Sequence, residues 1–128
     1  MNRFRDLLLS LLVAMVALSS CRKEEEIIPS SRVRVGVPGR PGKIKGFFLL
    51  NEANMGSNKA TLDYYDYTTA FYTRNIYAER NPNVVKELGD VGNDLQIHGS
   101  RLYAVINVSG LIEVMDVRTA KHIGKISI

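Results

Sequence analysis

The chain has 128 residues, of which 45% are hydrophobic, and it carries a formal net charge of +4. This length and composition are typical of a single small globular domain, and the one cysteine excludes an intramolecular disulfide or a zinc cluster built on cysteines. Residues 22–45 hold seven Lys and Arg against three Glu, whereas residues 46–128 hold eight against nine acidic residues. Because a nucleic-acid-binding domain carries a basic face on its folded body, this distribution argues against nucleic acid as a partner.

The N-terminal segment has the layout of a secretory signal. Residues 2–5 are basic, and the apolar run over residues 7–18 is shorter than the stretch of about 20 that spans a bilayer. One leucine and two serines precede Cys21, an arrangement that resembles the bacterial lipobox, in which the cysteine is acylated. We therefore expect a helical lipoprotein signal peptide over residues 1–20 and lipidation at Cys21. The alternative is an N-terminal helix with an incidental cysteine.

Residues 21–45 are predicted to form a lipidated, flexible tether, because prolines, glycines and charges alternate along them. The first charges resemble the export signal of Bacteroidetes surface lipoproteins: Lys23, Glu24, Glu25 and Glu26. That resemblance implies an outer-membrane protein, displayed at the cell surface and attached to the membrane through its N-terminal lipid. A solvated charge run is the other interpretation. Within the tether, residues 32–37 alternate with period two and could form a first edge strand.

From residue 46 onward the pattern predicts an all-β body. Apolar and alternating runs predict strands over 46–51, 61–67, 70–77, 94–97, 102–107, 111–117 and 121–128. The last four follow one another through tight turns, which predicts an antiparallel four-stranded meander. The loop over residues 78–93 could contain one helical turn at 84–88.

An internal repeat divides this body. Residues 62–76 align with residues 112–126 at an offset of 50, and Asn51 aligns with Asn107 at an offset of 56 because of an insertion at 52–60. The aligned pairs are Asp63 with Glu113, Asp66 with Asp116, Thr69 with Thr119, Ala70 with Ala120, and Ile76 with Ile126. A unit of about 50 residues with three or four strands is typical of a propeller blade.

The Asp-x-x-Thr pattern recurs at equivalent turns of the two repeats. An aspartate that ends a strand can accept hydrogen bonds from the backbone of the turn, and a threonine can cap the same turn. We therefore predict structural roles, not catalytic ones, for Asp66, Thr69, Asp116 and Thr119.

The sequence resembles a known family of β-propellers. Residues 110–128 resemble the blade motif of YncE-like propellers, and residues 46–67 and 86–107 resemble the BtuG-like branch of Bacteroidetes surface lipoproteins. The expected fold is thus antiparallel four-stranded propeller blades, with one blade at about 46–77 and a second at about 94–128. Members of this family close a ring of more blades, so we expect a truncated propeller.

The family implies a ligand site on the face that carries the turns, and no catalytic residue, metal or other cofactor is expected. Cobalamin or a related nutrient is the ligand that the resemblance suggests, for delivery to an outer-membrane transporter. The candidate ligand-binding residues are Asn51, Glu52, Asn54, Met55, Asn58, Asn93, Asp94 and Asn107. Three alternatives stay open: these residues only form turns, the propeller is structural or binds a protein or glycan for adhesion, or the chain is a non-functional fragment.

Overall fold

A computed structural model describes residues 28–84 and 87–128. The predicted signal peptide at 1–20, the lipidation site Cys21 and the export residues Lys23, Glu24, Glu25 and Glu26 lie outside the described residues. Within the described ranges, no helix is long and apolar enough to cross a membrane.

The fold is all-β, as predicted, and the described residues form two four-stranded antiparallel sheets and one short helix. Sheet one contains β1 (Ser31–Arg34), β2 (Gly46–Asn51), β3 (Thr61–Asp66) and β4 (Phe71–Arg74), in the order β1-β4-β3-β2. The helix α1 (Ile76–Arg80) follows β4. Sheet two contains β5 (Gly92–His98), β6 (Arg101–Ile106), β7 (Leu111–Asp116) and β8 (His122–Ser127) in chain order. The four-stranded meander predicted for the C-terminal half is therefore confirmed.

The strand predicted over 70–77 is too long. Strand β4 ends at Arg74 because Asn75 adopts a left-handed conformation, with φ 46° and ψ 52°, which turns the chain out of the sheet. The Asn75 side chain then accepts a hydrogen bond from the Ala78 amide, at 3.3 Å, and so caps α1. The helical turn expected at 84–88 lies instead at 76–80, and the described residues of 84–88 form bends.

An edge strand is present but ends three residues earlier than the predicted 32–37, at Arg34, and it belongs to sheet one. Strand β1 pairs with β4, with Val33 opposite Tyr72. The guanidinium groups of Arg32 and Arg34 lie 4.3 and 4.9 Å from the centre of the Phe71 ring, within the range of cation–π attraction. These four strand residues therefore belong to sheet one.

The two sheets pack face to face around one core. Its fully buried side chains come from both sheets, from α1 and from the segment before β5: Leu62, Tyr77, Leu88, Leu102, Ile106 and Met115. Phe48, Leu50 and Leu95 pack against them. A Cβ atom on Gly92 would lie 2.9 Å from the Leu50 side chain, so glycine at this position lets β5 approach β2.

The sequence repeat corresponds to repeated strands. Asp66 lies opposite Gly46, and Asp116 lies opposite Arg101, so β2 corresponds to β6 at an offset of 55. The offset of 56 that aligns Asn51 with Asn107 is wrong by one residue, because the register of each sheet places Asn51 and Ile106 at equivalent positions.

Candidate functional site

One end of the molecule gathers the residues predicted to bind a ligand. We call it the loop end, and it comprises the β2–β3 loop at 52–60, residues 89–94, and the β6–β7 turn at 107–110. The Gly92 amide donates to the Glu52 carbonyl at 3.1 Å, and the Asn107 amide donates to the Val91 carbonyl at 2.9 Å. These bonds bring together three segments that are distant in sequence.

Asp90 fixes the inserted loop. Its carboxylate accepts hydrogen bonds from the amides of Gly56, at 2.6 Å, and Asn58, at 3.3 Å. Its own amide donates to the Ser109 hydroxyl at 2.8 Å, so Asp90 connects the loop to the β6–β7 turn. The preceding Gly89 has φ 131°, and a Cβ atom there would lie 2.6 Å from the Ser109 hydroxyl oxygen. A buried carboxylate with two backbone donors holds the loop in one conformation.

Sequence reasoning missed Asp90. The only local sign was its position in a glycine-containing turn, which is common among loop aspartates. Its partners lie 34 and 32 residues away in the chain, so its role depends on how the two sheets pack.

The eight predicted residues differ in how much they are exposed. Six are exposed: Glu52, Asn54, Met55, Asn93, Asp94 and Asn107. The half-buried Asn51 uses its side-chain amide to donate to the Thr61 hydroxyl at 3.0 Å, across β2 and β3. Asn58, also half-buried, has φ 54° and shapes the loop. The exposed set therefore offers amide and carboxylate groups together with Met55, which is 79% exposed.

The equivalent turns lie at the opposite end of the sheets. Asp66 accepts hydrogen bonds from the amides of Thr68 and Thr69, at 2.7 and 3.1 Å. Asp116 accepts from the amides of Arg118 and Thr119, both at 2.9 Å, and also from the Thr119 hydroxyl. That hydroxyl is the main reason why the pKa of Asp116 is lowered. In both repeats the carboxylate holds the turn, and the alanine that follows has positive φ, 57° at position 70 and 55° at position 120.

Each sheet also contains a buried carboxylate that sequence reasoning aligned but did not interpret. Glu113 has no exposed surface and accepts hydrogen bonds from the Tyr77 hydroxyl, at 2.7 Å, and from His122 Nδ1. The Lys125 ammonium lies 3.7 Å from its second oxygen. The equivalent Asp63 is 6% exposed. Both carboxylates are thus used within the fold.

Asp63 has partners at the same repeat positions. The Tyr72 hydroxyl donates to it at 2.6 Å, and the Asn75 amide donates at 2.8 Å. Tyr72 and Asn75 precede His122 and Lys125 by the repeat offset of 50, so the two networks are built from equivalent positions.

The bond between Tyr72 and Asp63 predicts a pH dependence. Burial, the hydrogen bond and the negative charge of Asp63 raise the pKa of Tyr72 to about 12. A folded-state pKa above the unfolded value gives stability that is complete below about pH 10 and is lost as the pH rises toward 12. The free energy of unfolding of wild type should therefore exceed that of Tyr72→Phe by more at pH 9 than at pH 11. An equal difference at both pH values would contradict this assignment.

A cavity of about 530 Å³ lies at the end opposite to the loop end. Its lining is mainly apolar and comes from both sheets: Phe47, Phe48, Tyr64, Leu95, Ile97, Leu102 and Val117, with Lys45, Gly46 and Arg118. The sequence did not predict it, because it lies where residues of β2 face residues of β5 and β6.

Over residues 28–84 and 87–128 the structure is all-β, with two four-stranded antiparallel sheets that share a three-stranded repeat, a polar loop end and an apolar cavity at the other end. Residues 45–127 match the model of a protein family described as Domain of unknown function (DUF5074). This match covers seven of the eight strands, and the chain belongs to the DUF5074 family. No curated protein matches the sequence.

Proposed function

We propose that this chain is a non-catalytic, ligand-binding module of a cell-surface lipoprotein, and that the loop end binds the ligand. The observation that carries the proposal is the way Asp90 fixes the inserted loop beside the exposed side chains of two other segments. A loop that is held before binding loses less conformational freedom when the ligand arrives, which favours affinity.

The chemistry of the loop end suits a polar ligand of moderate size. Asparagine side chains offer both a donor and an acceptor, which match amides and hydroxyls, while Met55 offers an adaptable apolar contact. Cobalamin, with amide groups at its periphery, is the ligand we propose. The protein would deliver it to an outer-membrane transporter while lipid at Cys21 keeps the module at the membrane.

We further propose that the two sheets are blades of a YncE-like β-propeller. Two features support this: three consecutive strands repeat with the same order and turn chemistry, β2–β3–β4 in one sheet and β6–β7–β8 in the other, and strand β2 lies against strand β5. Such an arrangement puts the inserted loop and the β6–β7 turn on one propeller face, where small ligands commonly bind.

Titration with cobalamin tests the proposed site. We expect the double variant Asn54→Ala/Asn107→Ala to bind cobalamin at least about tenfold more weakly than wild type, since each asparagine offers hydrogen bonds to the ligand. His98→Ala, an exposed position at the opposite end, serves as the control and should bind as wild type does. Wild type that binds no cobalamin would overturn the ligand, and equal affinity of the double variant would overturn the site.

An adhesion role is the second candidate, and one observation favours it. Phe47, Tyr65 and Tyr67 form an aromatic cluster on sheet one, with ring centres 5.5 to 6.0 Å apart, and Phe47 and Tyr67 are 44% and 43% exposed. Exposed rings of this kind can stack on sugars. Glycan-array binding that Tyr67→Ala abolishes, and that Asn54→Ala/Asn107→Ala leaves intact, would select this alternative.

A further inference from the structure

Within residues 28–84 and 87–128, strand β2 is paired with another strand along one edge only. The Lys45 carbonyl accepts a hydrogen bond from the Tyr67 amide at 3.0 Å, and from there the groups of residues 47, 49 and 51 point toward β3. The amides and carbonyls of Gly46, Phe48 and Leu50 therefore point toward the other edge. Among the described residues, no strand pairs with that edge. This unpaired edge extends as far as Glu52, whose carbonyl accepts a hydrogen bond from the Gly92 amide.

The internal repeat indicates what this edge can hold. Strand β6, which corresponds to β2, has the same edge occupied by β5. Leu102, the equivalent of Phe47, lies opposite Ile97, and Tyr103, the equivalent of Phe48, lies opposite Gln96. Sheet two thus has an antiparallel strand at the position where sheet one has none.

The cavity adjoins the same edge. Phe48 and Tyr64 line it from sheet one, and Leu95 and Ile97 line it from sheet two. A strand added to β2 would direct the side chain opposite Phe48 into this space, because side chains on neighbouring strands share a face at paired positions. An aliphatic side chain is the natural occupant of such an apolar lining.

The charged residues that line the cavity indicate which chemical group the last residue of the added strand carries. Lys45, directly before β2, and Arg118, in the β7–β8 turn, both line the cavity, and no acidic residue is among its described lining residues. An antiparallel strand would reach Gly46 with its C-terminal residue. A carboxylate at that residue would therefore come close to Lys45, and Arg118 adds a second positive charge to the same cavity.

We propose that the free edge of β2 binds an extended peptide segment of another polypeptide by antiparallel strand addition. The segment places an aliphatic side chain opposite Phe48, in the cavity, and a carboxylate opposite Gly46, beside Lys45 and Arg118. Backbone hydrogen bonds to Gly46, Phe48 and Leu50 supply the affinity, and the two side chains supply the specificity. This site is separate from the loop end and does not depend on the function proposed for it.

A synthetic peptide tests this proposal with the full-length chain. The probe is a peptide of residues 92–98 of this sequence with Gln96→Val and His98→Asp, acetylated at its N-terminus and amidated at its C-terminus. The β5 sequence is used because β5 pairs with β6, the equivalent of β2. Gln96→Val places an aliphatic side chain opposite Phe48, and His98→Asp places a carboxylate opposite Gly46. Isothermal titration calorimetry should detect binding of this probe. N-methylation at position 96, whose amide would face β2, should weaken binding at least about tenfold, whereas N-methylation at position 95, whose amide would face away, should leave it unchanged.

The charge contact is tested by a protein variant. Lys45→Glu should weaken binding of the probe by several-fold more than it weakens binding of the same peptide with His98 retained. No binding by the probe, equal effects of the two N-methyl groups, or equal effects of Lys45→Glu on both peptides would overturn the proposal. A concentration-dependent dimer of the chain that the probe does not dissociate would overturn it too, because a second copy would then occupy the edge.

Discussion

Replacing Glu113 by alanine is expected to destabilise the fold by about 3–5 kcal/mol, the usual cost of removing one partner from a buried charged network. Glu113 has no exposed surface, and its loss leaves the Tyr77 hydroxyl without its acceptor inside the core. It also removes the carboxylate from His122 and Lys125 on β8. Urea unfolding followed by circular dichroism, with wild type as reference, measures the difference in the free energy of unfolding.

Two further variants show whether the network is the cause. Glu113→Gln keeps an acceptor for Tyr77 and should lose less stability than Glu113→Ala. Glu79→Ala removes a glutamate with a 38% exposed side chain, 3.6 Å from Arg80, and should change stability by less than about 1 kcal/mol. A loss for Glu113→Ala as small as that for Glu79→Ala would show that the buried carboxylate is not required.

The strands were predictable because their signals are local. Strand β2 has the predicted bounds, β3 and β7 end one residue earlier than predicted, and β6 is shifted by one residue at both ends. Alternation with period two and turn residues both lie within a few positions of one another in the sequence. For the same reason, the aspartates at positions 66 and 116 were assigned to turns from sequence alone.

The conformation after β4 was not predictable from such signals. The run over 70–77 is rich in β-branched and aromatic residues, which favours a strand. Asn75 ends the strand because its side chain donates to the Ile28 carbonyl and to Glu87, at 2.9 and 3.0 Å, and these partners lie 47 and 12 residues away. Tertiary contacts thus determine the local conformation here.

The sequence predicted which segments form the candidate site, but it did not predict the residue that holds them together. The insertion at 52–60 marked the loop, and the repeat placed the β6–β7 turn at the same end. Asp90, which holds the loop in place, had no counterpart in the repeat to mark it. A residue that acts through long-range contacts has no signal in a single sequence unless an internal repeat supplies one.

Such a signal was present for the buried carboxylates. Asp63 and Glu113 are 50 residues apart, and an acidic residue recurring in the middle of an otherwise apolar strand is costly to bury unless it is paired. The partners changed between the repeats, from Tyr72 to His122, while the position of the contact did not. The repeat alignment therefore already paired the positions that make these contacts, but only the structure shows that the side chains at those positions bind each other.

Asn81 should be the second position where a single substitution has a large effect. It is 7% exposed, and its side chain joins the end of α1 to the turn between β7 and β8. The amide nitrogen donates to the carbonyls of Tyr77 and Ala120, at 2.8 and 2.9 Å, and the amide oxygen accepts from the His122 backbone at 2.8 Å. The β7–β8 register shifts between Val114 and Met115, and Met115 pairs with His122. The Asn81 side chain therefore accepts a hydrogen bond from a backbone amide next to an irregularity in the sheet.

Asn81→Ala is therefore expected to lower the free energy of unfolding by about 2–4 kcal/mol, because it leaves the Ala120 carbonyl and the His122 amide without their partner. The Tyr77 carbonyl keeps a second donor, the Asn81 backbone amide at 3.0 Å, and adds little to the loss. Asn83→Ala, at an exposed position two residues away, is the matched control and should fall within about 0.5 kcal/mol of wild type. Equal losses for the two variants in urea unfolding would mean that the side chain of Asn81 does not hold the two sheets together.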